Sequence, residues 1–352
     1  MTGIISERLK PYLTELLHQN QYCGIQGKTV FEGVAAIRDV IAHAEITEKP
    51  LCVLSIDFSE AFDNISHEYL QKVLHAHAFS ESFIRGIMLL YDKATSEILV
   101  NGFRTRQIPI KRSVGQGCPL SMTIRFVPKS SDTDNRQEHQ RHKDWQQSNE
   151  DNDSNVADDV TIFLTRVEDI PKLEGKLHRF EAASGARINI MKSRKMALGN
   201  WNKSNTIMNL TYYNEITILG YHFTNNINTA AAKTWSAVVA RMRATAQDAY
   251  QRDLTLDKRI QLVQQYFLAK IWYVTQIFLP PTDAIGRINT AIAWFIWNGE
   301  IFRAPLSTLQ RENNDGGWNM YKAEAKCRAL FMYRLQNQSQ QKGTITADWL
   351  KY

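Results

Sequence analysis

The run Leu51-Cys52-Val53-Leu54-Ser55-Ile56 follows Pro50 and stops at Asp57. Apart from Ser55 it is apolar throughout, without the alternation of a half-solvated strand, and reads as a short strand buried on both faces. Helical patterns flank it. Val30, Val34, Ile37 and Ile41 recur at helical spacing, which predicts an amphipathic helix over 29–44 that ends in a linker before Pro50. Ser66 is placed to cap a second helix carrying Leu70, Val73 and Leu74 on one face. Ile84, Ile87, Met88 and Tyr91 mark a third helix, and residues 8–20 read as a short helix before a turn. The expected fold class is α/β.

Further along, Asn101-Gly102 between two strand-like segments predicts a β-hairpin, because that dipeptide suits a type I′ turn. Between Lys129 and Asn155 the only large apolar residue is Trp145, and the stretch reads as disordered. Order resumes with the strand-like VADDVTIFLT, then a helix over 168–183 and a strand over 216–223. From about Ala230 the pattern is helical, with Leu262, Tyr266, Ala269 and Tyr273 marking one long face.

With 352 residues the chain has room for two or three packed units. No stretch approaches the roughly 18 apolar residues of a membrane span, and Met1 to Lys10 has no apolar core of a secretion signal. Cys23, Cys52, Cys118 and Cys327 form no CxxC pair, which predicts reduced thiols in an intracellular protein, cytoplasmic or nuclear, with no structural zinc. The net charge of +6 suits a polyanionic partner.

Two carboxylate clusters stand at the ends of apolar strands: Asp57 after LCVLSI, and Asp158-Asp159 before VTIFL. Two-metal phosphoryl transfer needs such groups, because carboxylates from neighbouring strands must bridge two Mg²⁺ ions about 4 Å apart. Either cluster alone is equally an ordinary strand end or turn. Asp57 with Asp63 could form a glycosidase pair, though no other residue supports that chemistry.

An ordered series surrounds these carboxylates. SIDFSEAFDNISH, SVGQGCPLSM, VADDVTIFLT, SGARINIMKS and ILGYHF follow one another as the palm motifs of reverse transcriptases do. The spellings AFDNISHEYL, QGCPLS, FRAPLSTLQRENNDGGW and AKCRALFMYRL resemble those of LINE-type (non-LTR) retrotransposons, and so does RLKPYLTELLHQNQYCGIQGKTVFE upstream. The resemblance implies a polymerase palm, a small mostly antiparallel sheet with packed helices, followed by a helical thumb. It implies partial fingers over 1–50, a palm over 51–225 interrupted by the polar segment 123–155, and a thumb and C-terminal region over 226–352. The implied metal ligands and catalytic residues are Asp57, Asp158 and Asp159, holding two Mg²⁺ ions with Mn²⁺ as a substitute. Phe62, Gly115, Gln116, Gly117 and Lys192 would line the dNTP and template, and Leu219 with Gly220 would form the primer grip. The implied partners are an RNA template, a DNA primer and dNTPs, with no membrane.

Three departures from the family pattern qualify this. Val156 stands where an aromatic residue is usual. After Met122 an apolar helix and a strand are expected, but the sequence is polar until Val156, as though residues 123–155 were read out of frame. Met1 falls after the family's fingers strands, and no endonuclease domain precedes it. The expectation is a chain that descends from an RNA-directed DNA polymerase but is inactive as it stands. The alternative is a non-enzymatic nucleic-acid-binding remnant or an unexpressed pseudogene product. Arg241, Arg243, Lys258, Arg259 and Lys270 could track a phosphate backbone or form a solvated helix face. Trp235, Trp272, Trp294, Trp297 and Trp318 read as core.

Overall fold

The computed structural model describes residues 2–16, 21–22, 25, 27–60, 63–113, 154–156, 159–299 and 303–340. The chain divides into two compact units, 1–33 with 48–213 and 34–47 with 214–352. The first begins with α1 (Thr2–Leu16) and the opening turn of α2 (Val30–Thr47), whose later residues belong to the second unit. Next come β1 (Leu51–Ile56), β2 (Phe58–Ser59), α3 (His67–Ala76) and α4 (Glu81–Leu89). Four two-residue strands follow, β3 (Thr95–Ser96), β4 (Leu99–Val100), β5 (Phe103–Arg104) and β6 (Ile108–Pro109). The unit closes with β7 (Ser154–Val156), β8 (Asp159–Leu164), α5 (Ile170–Ser184), β9 (Arg187–Ile188) and β10 (Arg194–Leu198).

Its main sheet is antiparallel throughout, in the order β10-β1-β8-β7. The apolar run of β1 takes a central place, buried on both faces except at half-exposed Ser55. Cys52, Leu54 and Ile56 point to a cluster with Ile162, Leu164, Ile170, Trp201, Ile207 and Leu210. Each large side chain so buried contributes about 1.5–3 kcal/mol. A second cluster joins Leu70, Val73 and Leu74 of α3 to Ile84 and Ile87 of α4. Ile5 and Leu9 of α1, one turn apart, pack on it too, so this helix begins at Thr2 rather than at 8 as expected, and it carries Pro11 inside. Ser66 caps α3 as its position predicts, its Oγ accepting the Tyr69 N–H at 3.2 Å.

The Asn-Gly hairpin forms at the expected place. Val100 pairs with Phe103, and Asn101 and Gly102 both hold positive φ (50° and 84°), as a type I′ turn requires. The polar stretch before Val156 supplies a strand against expectation. Ser154, Asn155 and Val156 pair with Thr161, Val160 and Asp159. Poor strand propensity is overridden here because the neighbouring β8 is a fixed edge with main-chain groups to satisfy.

The second unit comprises β11 (Glu215–Ile218), β12 (Tyr221–Thr224) and then helices: α6 (Ile227–Tyr250), α7 (Leu256–Leu262), α8 (Leu268–Thr275), α9 (Thr282–Ile296), α10 (Leu306–Leu309) and α11 (Ala323–Gln340). The strand expected over 216–223 is thus a hairpin, and it groups with the helices. A π-helical turn, Val263–Phe267, joins α7 to α8. It shifts the helical register, so Val263, Phe267, Ile271 and Val274 are buried while Tyr266, on the expected face, is exposed. The Gly316-Gly317-Trp318 sequence gains a structural reason. Gly316 ends a short 3-10 turn at φ 72°, and a Cβ on Gly317 would stand 2.1 Å from the Arg311 carbonyl oxygen. Among the described residues no helix is long and apolar enough to cross a membrane.

Candidate active site

Asp57 is the first residue beyond β1. The pairing of β1 with β10 ends at Ser55↔Arg194, and its pairing with β8 ends at Ile56↔Val160. Among the described residues Asp57 therefore lies past the ends of both β1 ladders, and the turn before β10 holds its main chain. Its N–H donates to the Ser193 hydroxyl at 3.0 Å, and its carbonyl accepts the Asn189 N–H at 2.8 Å. Among the described residues its half-buried carboxylate takes no hydrogen bond and no ion pair.

The turn between β9 and β10 is closed on itself. The Asn189 carbonyl accepts from the N–H groups of Lys192 (3.1 Å) and Ser193 (2.8 Å), and Asn189 Oδ1 also accepts from Lys192 N–H (3.2 Å). Lys192 is exposed on this turn, so the structure ties it to Asp57 through Asn189 and Ser193. The pair Phe58↔Ile188 continues the same junction.

Extending the β1–β8 register by one residue sets Asp57 level with Asp159. The ladder itself stops at Ile56↔Val160, so Asp57 stands one residue past the end of β1 where Asp159 begins β8. The pair Val156↔Asp159 leaves only residues 157 and 158 to link β7 to β8. Asp158, Phe62, Gly115, Gln116 and Gly117 lie outside the described residues. Asp57 offers hard carboxylate oxygens of the kind a divalent cation such as Mg²⁺ takes, and among the described residues no group of three or more His, Cys, Asp or Glu is placed to hold a metal ion.

Asp63 takes a different part from the glycosidase alternative. Its Oδ1 accepts the Ser113 hydroxyl at 2.8 Å, while Ser113 donates its N–H to the Ile65 carbonyl at 3.0 Å. The Ser113 carbonyl lies 2.8 Å from His67 Nε2. Three contacts thus fasten the residue that precedes Val114, and they use Asp63 as a structural acceptor.

In the second unit, Leu219 and Gly220 form the turn of the β11–β12 hairpin, with φ values of 51° and 81°. The Tyr273 hydroxyl donates to the Leu219 carbonyl at 2.9 Å.

A sequence comparison decides what these parts belong to. The pattern of the family described as reverse transcriptase (RNA-dependent DNA polymerase) matches residues 1–223. The chain belongs to the reverse transcriptase family. A curated relative, the Transposon TX1 uncharacterized 149 kDa protein of Xenopus laevis, is 27% identical over 318 residues. That alignment covers 84% of this chain and 23% of the relative, so the chain spans about a quarter of that protein. A transposon relative agrees with the non-LTR assignment made from the motif spellings. Similar solved structures include apo telomerase from Candida tropicalis, with TM-score 0.49, 11% identity, and 99% of this chain and 58% of that chain covered. Telomerase from Candida albicans with a telomeric RNA fragment scores 0.44 at 12% identity, covering 99% of this chain and 58% of that one. The family assignment rests on the sequence match.

In this reverse transcriptase domain several basic and aromatic side chains have settled roles. Arg259, read as either a phosphate contact or part of a solvated helix face, is instead buried and donates to the carbonyls of Leu254 (2.9 Å) and Phe295 (2.8 Å). Lys270 donates to Thr245 and lies 4.8 Å from the Tyr266 ring centre, whereas Arg241, Arg243 and Lys258 are exposed. Trp235 is core as expected, its Nε1 donating to the Phe278 carbonyl, but Trp318 is 41% exposed. Reading the sequence alone missed Ser193 and Asn189 as partners of Asp57. The bond from Asp57 to Ser193 joins positions 136 residues apart, which no local pattern encodes.

Proposed function

We propose that this reverse transcriptase domain descends from one that extends a DNA primer on an RNA template, transferring nucleotidyl groups from dNTPs to the primer 3′-hydroxyl, and primer extension decides whether the chain still does so. The observation that supports the reading is the β1–β8 ladder ending at Ile56↔Val160, one residue before Asp57 and one after Asp159. Asp57, Asp158 and Asp159 would hold two Mg²⁺ ions, or Mn²⁺ in their place. Bound there, the ions supply positive charge to the attacking 3′-oxygen and the leaving pyrophosphate.

The chain's own residues supply positioning. Phe62 with Gly115, Gln116 and Gly117 would contact the incoming nucleotide and templating base, and Lys192 would offer its ammonium to the triphosphate. Leu219 and Gly220 would hold the primer end. In domain terms we assign 1–50 to partial fingers, 51–225 to the palm with its polar segment 123–155, and 226–352 to the thumb and C-terminal region. An intracellular site, cytoplasmic or nuclear, follows from the same role.

The polar character of 123–155 favours a second reading, a remnant that binds nucleic acid without incorporation. Primer extension on an RNA template with Mg²⁺ separates the two. Incorporation by the native chain that falls by two or more orders of magnitude in Asp57→Ala supports polymerisation. A salt-dependent gel shift without incorporation supports the remnant, and equal incorporation by both proteins sinks the assignment of Asp57.

A further inference from the structure

Both ladders of β1 have ended before Asp57, so nothing in the sheet fixes the direction in which this residue leaves the strand. The constraint comes from one turn. Ser193 is 2% exposed, and its hydroxyl accepts the Asp57 N–H. The Ser193 N–H is itself held by the Asn189 carbonyl, which fixes the backbone that carries the hydroxyl. Asn189 grips the other side of the same residue, its N–H donating to the Asp57 carbonyl. The peptide planes before and after the Asp57 Cα are each held by one of these bonds, and the Cβ on that Cα inherits the restriction.

We propose that Ser193 is a positioning residue for cation binding: its buried hydroxyl sets the direction in which Asp57 presents its carboxylate to a divalent ion. The inference rests on the reading of Asp57 as an ion ligand. The hydroxyl does not touch the ion. It acts as groups behind metal ligands commonly do, by holding a ligand in the orientation that binds, and removing such groups typically weakens binding about 10–100-fold.

The test is titration of the full chain with Mn²⁺, reading free ion by electron paramagnetic resonance, with circular dichroism and melting temperature measured alongside. The native chain is compared with Ser193→Ala, Ser193→Thr and Asp57→Asn. Ser193→Ala is expected to weaken Mn²⁺ binding about 10-fold or more, and Ser193→Thr, which keeps the hydroxyl, to restore most of it. Asp57→Asn is expected to lose the site while keeping the fold, because both main-chain bonds remain. If Asp57→Asn loses binding but Ser193→Ala binds as the native chain does, Ser193 has no positioning role. If Ser193→Ala and Ser193→Thr weaken binding equally, the hydroxyl is not the cause and the inference is overturned. If Asp57→Asn binds Mn²⁺ as the native chain does, or the native chain does not bind, the assignment of Asp57 as a ligand fails and this inference fails with it.

Discussion

Tyr221 and Tyr273 are bound to each other's surroundings in a closed exchange. The Tyr221 hydroxyl donates to the Tyr273 carbonyl at 2.6 Å, and the Tyr273 hydroxyl donates to the Leu219 carbonyl at 2.9 Å. Their ring centres lie 5.1 Å apart. Burial pushes the Tyr221 hydroxyl far above the usual tyrosine range, with Tyr273 adding to the effect and Arg334 opposing it, so it stays a donor at any physiological pH. The turn proposed to hold the primer is therefore fastened to α8 by the hydroxyls of Tyr221 and Tyr273.

Tyr273→Phe removes the donor to the Leu219 carbonyl and keeps the ring. Loss of one such bond costs about 0.5–1.5 kcal/mol. Chemical denaturation should register that loss. Primer affinity should weaken while dNTP affinity holds, and an equal change in both would argue against a primer-specific role for the turn.

Glu215 accepts hydrogen bonds from Lys233 and His222. The Lys233 bond is the main cause holding its carboxyl below the usual glutamate range; partial burial pushes the other way, and His222 adds to the lowering. A depressed folded-state value means the stabilisation is present above the ordinary glutamate pKa, about 4.3, and fades as pH falls through the folded-state value. Glu215→Gln should lower the melting temperature at pH 7, with the gap to the native chain closing below about pH 4. As the group is partly exposed, the effect should stay under about 1 kcal/mol and shrink in salt.

Lys195 is 2% exposed in β10, with its ammonium 3.9 Å from the Tyr212 ring centre. Burial lowers its pKa, and the charge of Glu174 opposes that shift. The unfolded chain then binds the proton more readily, so the penalty on the fold is present at neutral pH and falls away as pH rises toward about 10.4. Lys195→Met should match or raise the melting temperature at pH 7, and the advantage should narrow at pH 9.5. A variant that melts well below the native chain at both pH values would show that the cation over Tyr212 is a net support.

Gly317→Ala places a methyl 2.1 Å from the Arg311 carbonyl oxygen, closer than any real contact. The backbone must move, and the loss should reach a few kcal/mol, the range of a severe core change. Gly316→Ala meets no atom within 4 Å and keeps only the strain of φ 72°. It should cost about 1 kcal/mol. Similar melting temperatures for the two would contradict this account of the motif.

The features legible in the sequence were those set by local chemistry. LCVLSI had to be a buried strand, Ser66 could cap, and Asn101-Gly102 could turn, because each depends on a few adjacent residues. Motif order gave the family, which periodicity alone could not. Features set by distant partners stayed hidden. Ser154 and Asn155 form a strand only because β8 lies beside them. Tyr266 lies on the wrong side for the face assigned to it because a π turn changes the helical register at Val263. Arg259 became a buried bridge between two carbonyls, which its charge alone would never suggest.

The two bonds that fix residue 57 belong to its main chain, and its carboxylate contributes nothing to them. Folding and chemistry thus draw on different atoms of one amino acid. An Asp57→Asn exchange would therefore remove the carboxylate while leaving both of those main-chain bonds in place.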